Sequence, residues 1–335
     1  MKLEQRISAF KKLGNHLENL SQEGFETLAL QARLENPWFT EDNVKRSLSG
    51  ISRYLEEAKL KQWTSRYSLN PVNSKTVALV LAGNIPLVGF HDLLAVLISG
   101  HRAQLKLSSK DTKLIPYLIK HLIWFEPEFE KMITIKENKL EEFDAVIATG
   151  SDNSARYFEF YFGKYPNIIR KNRTSVVVLT GQETKETIEA LGEDIFSYFG
   201  LGCRNVSKAF VPEGYDLTKL LSSWDQYKDI VHHHKYCNNY DYQKSILLVN
   251  SVPFLDNGFI LLQQNERLVS PISVLYYEYY KDRADLEARL HRDAEKIQCI
   301  VGTAEPATVR FGSAQYPEVW DYADNVDTLK FLENI

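Results

Sequence analysis

The chain has 335 residues, 44% of them apolar, which is length enough for two domains and apolar content enough for real cores, so global disorder is excluded. Its 40 Lys and Arg against 44 Asp and Glu leave a net charge of −4, which offers no bulk attraction to nucleic acid or to an anionic membrane. The three cysteines, Cys203, Cys237 and Cys299, lack metal-type spacing, and their odd number argues against a disulfide framework.

Taken in order, Met1 to Arg6 carries charge without an apolar stretch, so no signal peptide is read and a reducing cytoplasm is the expected compartment. Residues 1–67 read as helical: Ile7, Phe10, Leu13, Leu17 and Leu20 recur at steps of three and four and share one face. Asn36-Pro37-Trp38-Phe39 breaks the pattern, Thr40 is an N-cap candidate, and a second helix is expected through Tyr54 towards Trp63. This leader is expected to cover a domain and carry no chemistry.

From Thr76 the texture changes. Thr76 to Leu81 is a short apolar run with β-branched residues, hence a buried strand. Gly83-Asn84-Ile85-Pro86 ends it, and Leu87 to Ser99 reads as a helix. This most apolar segment is broken by Gly83, Asn84, Pro86, Gly89, His91 and Asp92, and no window reaches the roughly 18 to 20 apolar residues of a membrane span. Strands are then expected at Ala103–Leu107, Met132–Ile135 and Asp144–Thr149, with helices at Thr112–Trp124 and Asn153–Phe162. Strand alternating with helix predicts an α/β fold with a parallel sheet, in which ligands bind beyond the carboxyl ends of strands. Three polar turns stand there: Gly83-Asn84, Lys106 to Ser109, and Gly150-Ser151.

A strand at Ser175–Leu179 and a helix at Lys185–Tyr198 lead to Gly200-Leu201-Gly202-Cys203-Arg204-Asn205. A thiol beside two glycines sits where a ligand can approach the backbone and where its own N–H can face an oxyanion; most free cysteines, by contrast, are inert and buried. Beyond it, strands are expected at Lys208–Val211, Ser245–Val249, Ile272–Tyr277 and Ile297–Val301, and helices at Leu217–Trp224 and Asp285–Ala294.

Gly83-Asn84-Ile85-Pro86, Lys106 to Ser109, Gly150-Ser151 and Gly202-Cys203, in that order, resemble the aldehyde dehydrogenase superfamily, and within it the long-chain acyl-CoA reductases of the bacterial luminescence type (LuxC-like). The resemblance covers residues 36–335. It implies a Rossmann-like cofactor domain at 68–181, with the leader 1–67 packed on it, a catalytic α/β domain at 182–304 and a segment 305–335 returning to the cofactor domain. It further implies that Cys203 is the nucleophile and that the Asn84 amide joins the Cys203 N–H in the oxyanion hole. Lys106, Ser108 and Ser109 are then cofactor contacts, and Gly150 and Ser151 lie near the pyrophosphate at a helix N-terminus. Arg204 or a helix N-terminus would favour the thiolate.

Departures from the family pattern sharpen this. Where oxidising members carry Leu-Glu-Leu-Gly-Gly-Lys, with a glutamate that activates water, this chain has Ile169-Arg170-Lys171-Asn172-Arg173-Thr174. Arg170 stays protonated and cannot act as a base, which points to acyl transfer. Lys106-Leu107-Ser108-Ser109 replaces Lys-Pro-Ser-Glu, so no acidic side chain repels a 2′-phosphate, and NADPH is the cofactor expected, with NADH the alternative. The Glu-Ile-Phe-Gly-Pro window corresponds to Arg267-Leu268-Val269-Ser270-Pro271, with no role assigned to Arg267 or Glu266. The expected activity is NADPH-dependent reduction of an acyl-CoA to an aldehyde through an acyl-cysteine. Alternatives are an acyl-phosphate reductase, an oxidising aldehyde dehydrogenase with another base, and a non-catalytic nucleotide- or CoA-binding protein. The family expectation is a homodimer with an acyl-CoA substrate, and the charge balance argues against a nucleic-acid partner.

Two clusters are not read as metal sites. His232-His233-His234 with Cys237 lacks ligand spacing, and Asp321, Asp324 and Asp327 lack the glycine and terminal glutamate of a calcium loop. The run Tyr276-Tyr277-Glu278-Tyr279-Tyr280 is read as packing or an interface, not nucleic-acid stacking, since no basic groove accompanies it.

Overall fold

The apolar repeat at the N-terminus folds as α1 (Leu3–Glu18), which buries Ile7, Phe10, Leu13 and Leu17. Leu20 lies in the link to α2 (Gln22–Glu35), which the Ser21 hydroxyl caps. Thr40 caps α3 (Glu41–Tyr54), accepting from the Asn43 N–H. The helix does not run on to Trp63: it stops at Leu55 and restarts as α4 (Glu57–Thr64), and the break lets Leu55, Leu60 and Trp63 all be buried. The structure, a computed structural model, describes residues 1–335 apart from the side chain of Asp152.

The alternating region gives β1 (Thr76–Val80), α5 (Phe90–Ser99), β2 (Arg102–Lys106), α6 (Leu114–Phe125), β3 (Ile133–Ile135), β4 (Ala145–Thr149), α7 (Asp152–Phe162) and β5 (Asn167–Arg170). The strands form one parallel sheet in the order β3-β2-β1-β4-β5. Val77, Ala78 and Leu79 of the central strand are fully buried, as a strand covered on both faces requires. β5 was not expected: it is short and at the sheet edge, and only Ile168 and Arg170 are buried along it, so its apolar signal is weak. Chain order reverses at β1, where the path runs one way to β2 and β3 and the other way to β4 and β5. That makes the carboxyl ends of β1 and β4 a topological switch point.

By contacts the chain divides into two units, Met1–Asn172 with Glu318–Ile335, and Arg173–Pro317. β6 (Thr174–Val178) falls in the second unit because it hydrogen-bonds between β7 (Val206–Pro212) and the last strand of the second sheet.

Between them stands α8 (Lys185–Phe196), and after β7 come α9 (Thr218–Ser223), α10 (His234–Val249), β8 (Leu255–Asp256), β9 (Leu261–Gln264), β10 (Val274–Tyr280), α11 (Arg283–Arg292) and β11 (Ile297–Val301). The sheet order is β11-β6-β7-β10-β9-β8, with only β8 antiparallel. The strand expected at Ser245–Val249 is instead the end of α10. Its buried residues Tyr240 and Leu247 are seven apart on one helical face, while Leu248 and Val249 are exposed. One sheet face packs Val177, Ala209 and Leu275 against Ile188, Leu191 and Ile195 of α8. The other packs Val176, Val178 and Phe210 against Leu286 and Leu290 of α11. The chain closes with α12 (Thr328–Glu333), which buries Leu329 and Leu332 with the first unit and packs on α5.

Among the described residues no helix is long and apolar enough to cross a membrane.

Candidate functional site

After α8 the backbone turns sharply: Tyr198, Phe199 and Gly200 all have positive φ, at 51°, 58° and 76°. Glycine adopts this region freely, whereas two aromatic residues in it are strained unless packing dictates it. Here Tyr198 is buried and the Phe199 ring lies 4.3 Å from that of His233. The next turn holds Cys203. The Asn205 N–H donates to the Gly202 carbonyl at 3.0 Å, and the Gly202 N–H donates to Asn205 Oδ1 at 2.8 Å. Asn205 is buried, and its Nδ2 also donates to the carbonyls of Asp194, Ile195 and Ser197 at 3.1, 3.3 and 2.8 Å. Those are carbonyls left over where α8 ends. One amide therefore caps the helix and closes the cysteine turn.

A second tie secures the same turn. Arg204 Nε donates to the Ala314 carbonyl at 2.7 Å, so the guanidinium expected beside the thiol is engaged by the backbone of the 312–314 segment. The Ala314 and Gly312 N–H groups donate to the two oxygens of Asp194 at 2.8 and 2.7 Å. Burial pushes the Asp194 carboxyl up to about 6, against the pull of those two donors. The Cys203 carbonyl accepts from Ser175 Oγ at 3.1 Å, and that hydroxyl also lies 2.9 Å from the buried Cys299 sulfur. Cys203 is half-buried, between the end of α8 and the start of β7, and no helix begins at it. The arrangement fixes its backbone on both sides.

The other predicted site residues gather on the first unit, at the carboxyl edge of its sheet. Val80 is in register with Lys106 and with Ala148, so the loops after β1, β2 and β4 are neighbours. A Cβ on Gly83 would lie 2.5 Å from Ser108 Oγ and 2.8 Å from Ser108 Cβ, so the first two loops touch and position 83 has no room for a side chain. A Cβ on Gly150 would likewise lie 2.8 Å from both Ser154 Cβ and Phe158 Cε2. Ser151 caps α7, its hydroxyl accepting from the Ser154 N–H at 3.3 Å. Lys106 donates to the Glu137 carbonyl. Ser108 Oγ accepts from the Lys110 N–H at 3.2 Å, Ser109 and Lys110 are exposed beside it, and Asn84 is exposed on the neighbouring loop. Cys203 belongs to the second unit and the other predicted residues to the first.

The loop bearing Asn84 is held from below by residues that sequence reasoning passed over. The Asn36 amide donates to the Gly83 carbonyl at 3.4 Å and the Ser47 hydroxyl to the Pro86 carbonyl at 3.0 Å. Leu87, at φ 61°, donates its N–H to the buried Asp111 carboxylate at 3.0 Å, and the same carboxylate accepts from Leu114 at the start of α6. Burial raises Asp111 to about 6, with both backbone donors opposing. Only Asp111 left a sequence signal, an acidic residue three places before an apolar helix. The leader thus does more than cover: it supports the loop.

Arg170 is buried, at 3% exposure. Its guanidinium donates to Asp92 at 2.6 Å, to the Ala323 carbonyl at 2.7 Å and to the Thr328 hydroxyl at 3.1 Å. His91 beside it is half-buried, donates Nε2–H to the Val319 carbonyl at 2.8 Å, and has its pKa lowered by desolvation. The position thus ties the returning C-terminal segment to α5.

No family model matches the sequence, and no curated protein matches it either. Solved structures do. Aldehyde dehydrogenase 21 of Physcomitrella patens, in complex with the reaction product succinate, superposes with a TM-score of 0.64 at 13% identity, over 100% of this chain and 84% of its own. A Mycobacterium tuberculosis aldehyde dehydrogenase complexed with NAD+ gives 0.66 at 13% identity, over 90% of this chain and 73% of its own. An Escherichia coli NADP-dependent enzyme gives 0.64 at 13%, over 91% and 74%. The fold is the aldehyde dehydrogenase fold, with a Rossmann-like and a catalytic α/β part preceded by helices.

Proposed function

We propose that this chain is an oxidoreductase that reduces an acyl-CoA thioester to an aldehyde with NADPH, through a covalent acyl-cysteine at Cys203. The observation that carries the reading is the Cys203 turn, closed by Asn205 and Arg204 and set at the amino end of β7, in a fold shared with dehydrogenases solved with NAD+. The Cys203 thiolate attacks the thioester carbonyl, the negative charge on oxygen is received by the Cys203 N–H and the Asn84 amide, and CoA leaves as the thiolate. Each such donor is worth about 10²–10³ in rate. A bound nicotinamide cofactor supplies the hydride that releases the aldehyde. Lys106 ends β2, and Asn84, Ser108, Ser109, Gly150 and Ser151 stand on the loops beyond β1, β2 and β4, the edge at which open α/β sheets bind dinucleotides.

Two observations favour reduction over hydrolysis and NADPH over NADH. Arg170, a permanent cation, is committed to Asp92 and to the C-terminal segment, so no base for water is supplied there. Ser109 and Lys110 offer a hydroxyl and an ammonium, with no carboxylate, where a 2′-phosphate would lie.

Mixing the protein with an acyl-CoA, without cofactor, should release one CoA per chain and add one acyl group to Cys203 by intact mass. NADPH should then be oxidised as aldehyde appears. Turnover that persists in Cys203→Ala, or an acyl phosphate accepted while acyl-CoA is refused, rules this function out. Ser109→Glu should lower kcat/KM for NADPH relative to NADH by about tenfold, the order of one lost charged hydrogen bond.

A further inference from the structure

We propose that Ser175 is a positioning residue for Cys203 and that the buried Cys299 thiol sets its hydroxyl, the two forming a hydrogen-bond relay that ends on the Cys203 carbonyl. Ser175 lies on β6, fully buried, and holds the cysteine turn at two points. Its N–H donates to the Asn205 carbonyl at 3.1 Å, and its hydroxyl donates to the Cys203 carbonyl at 3.1 Å. A serine hydroxyl carries one hydrogen. With that hydrogen on Cys203, the 2.9 Å contact to Cys299 has the thiol as its donor. The relay therefore runs from Cys299 S–H to Ser175 O–H to the Cys203 carbonyl.

The sheet is irregular where the relay crosses it. Thr174 and Val176 of β6 face Ile297 and Ile300 of β11, so Gln298 and Cys299 together oppose Ser175. On the other side Ser175 and Val176 face Val206 and Lys208 of β7, which leaves Ser207 as an extra residue. An extra residue in one strand of a pair re-aims the side chains beside it. Here both neighbours of β6 slip at the same residue, and the Cys299 sulfur reaches the hydroxyl that reaches the turn.

The relay acts on the two peptide planes that flank the Cys203 Cα. The Gly202 carbonyl accepts from the Asn205 N–H at 3.0 Å, and the Cys203 carbonyl accepts from Ser175. With both planes held, the directions of the Cys203 N–H and of its Cα–Cβ bond are set. The hydrogen bond on the Cys203 carbonyl also draws off negative charge that would oppose a thiolate on the same residue.

This inference rests on the reading of Cys203 as the reactive thiol, though not on acyl-CoA as its substrate. Its test is the pH dependence of alkylation by iodoacetamide in the whole chain, with peptide mass mapping to count Cys203 apart from Cys237 and Cys299. Ser175→Ala should slow Cys203 alkylation at about pH 7 by about fivefold, the order of one neutral hydrogen bond. At about pH 10, where the thiol is ionised in either chain, the rate should be unchanged. Cys299→Ala should slow the neutral-pH rate by about twofold, the smaller effect of a weak S–H donor. Cys299→Ser keeps a donor and should match wild type. A wild-type pH profile in Ser175→Ala would overturn the relay. So would Cys299→Ser behaving as Cys299→Ala does, because packing alone would then account for the sulfur; that pair also decides the matter should Ser175→Ala fail to fold. Profiles that move as expected while acyl-CoA leaves Cys203 unmodified would overturn the proposed substrate and support the relay.

Discussion

The loop edge of the first unit and the cysteine turn of the second are built in opposite ways. At the loop edge, Gly83 and Gly150 let loops sit directly against neighbouring side chains, and support comes from distant residues, Asn36, Ser47 and Asp111. The cysteine turn instead depends on side chains adjacent to Cys203 in sequence, Arg204 and Asn205, which reach out to α8 and to the 312–314 segment. On the proposed function the difference has a use: a loop that receives a flat cofactor needs absent side chains, whereas a nucleophile needs its own backbone immobilised. The first design fails by crowding and the second by unbuttoning.

The largest effect should come from Asn205→Ala. It leaves the Gly202 N–H and three carbonyls at the end of α8 without this partner in a buried place, at a cost on the order of 4 kcal/mol. Urea denaturation measures that cost, and alkylation of Cys203 should accelerate as the turn opens. Asn205→Asp should not rescue, because a carboxylate has no N–H for those carbonyls. An unchanged alkylation rate would mean that the turn is held elsewhere.

Arg170→Leu comes next. Breaking a buried pair strands the remaining charge, here Asp92, and about 3 kcal/mol is expected, with Arg170→Leu/Asp92→Leu recovering part of it. A double variant no better than the single would show that the tie to Ala323 and Thr328 matters more than the pair. Gly83→Ala should cost about 2 kcal/mol by overpacking against Ser108 and weaken nicotinamide-cofactor binding in a fluorescence titration, while leaving Cys203 alkylation untouched. That separation of effects is the sharpest test of the contrast between the two regions.

The smallest effect is in pH dependence, and its sign differs between His101 and Asp194. His101 donates Nε2–H to the Leu332 carbonyl at 2.9 Å and accepts the Lys75 N–H on Nδ1 at 3.1 Å, so the neutral ring is required. Burial lowers its pKa from the usual 6.5. Its stabilisation is therefore complete above about 6.5 and lost as pH falls through the lower folded value. Asp194 has the opposite sense: its folded value of about 6 exceeds the usual 3.8, so its contribution is complete below 3.8 and lost as pH rises through about 6. His101→Gln should flatten the acid side of a melting-temperature profile and Asp194→Asn the rise in stability from pH 6 to pH 4. Identical slopes in variant and wild type would dismiss either assignment.

Much of the fold was legible. Short β-branched runs at Thr76–Val80 and Ala145–Thr149, each followed by a polar turn and a helix, argue for a parallel α/β sheet, and both strands lie in one. The failures are physical. Ser245–Val249 was read as a strand because Ile, Leu and Val cluster there, yet a helix already running from His234 needs only one of those side chains buried at its end. β5 was missed because an edge strand buries few residues. At the candidate site, Cys203, Asn84 and the cofactor turns stand out through residue type and neighbouring glycines. Asn205, Ser47 and Asn36 look like any polar residue until their partners are known.

What the sequence determined by itself is local: which runs extend, which coil, where the chain must turn, and that position 170 holds a cation that cannot be a base. What tertiary structure alone decided is partnership. β6 joined the second sheet because its hydrogen-bond partners are β7 and β11, and Arg170 became a buried tie because Asp92, Ala323 and Thr328 converge on it from 78, 153 and 158 residues away. Propensity and periodicity act over a few neighbours, whereas the cost of leaving a buried charge or N–H unpaired is met by whichever residue the fold brings near.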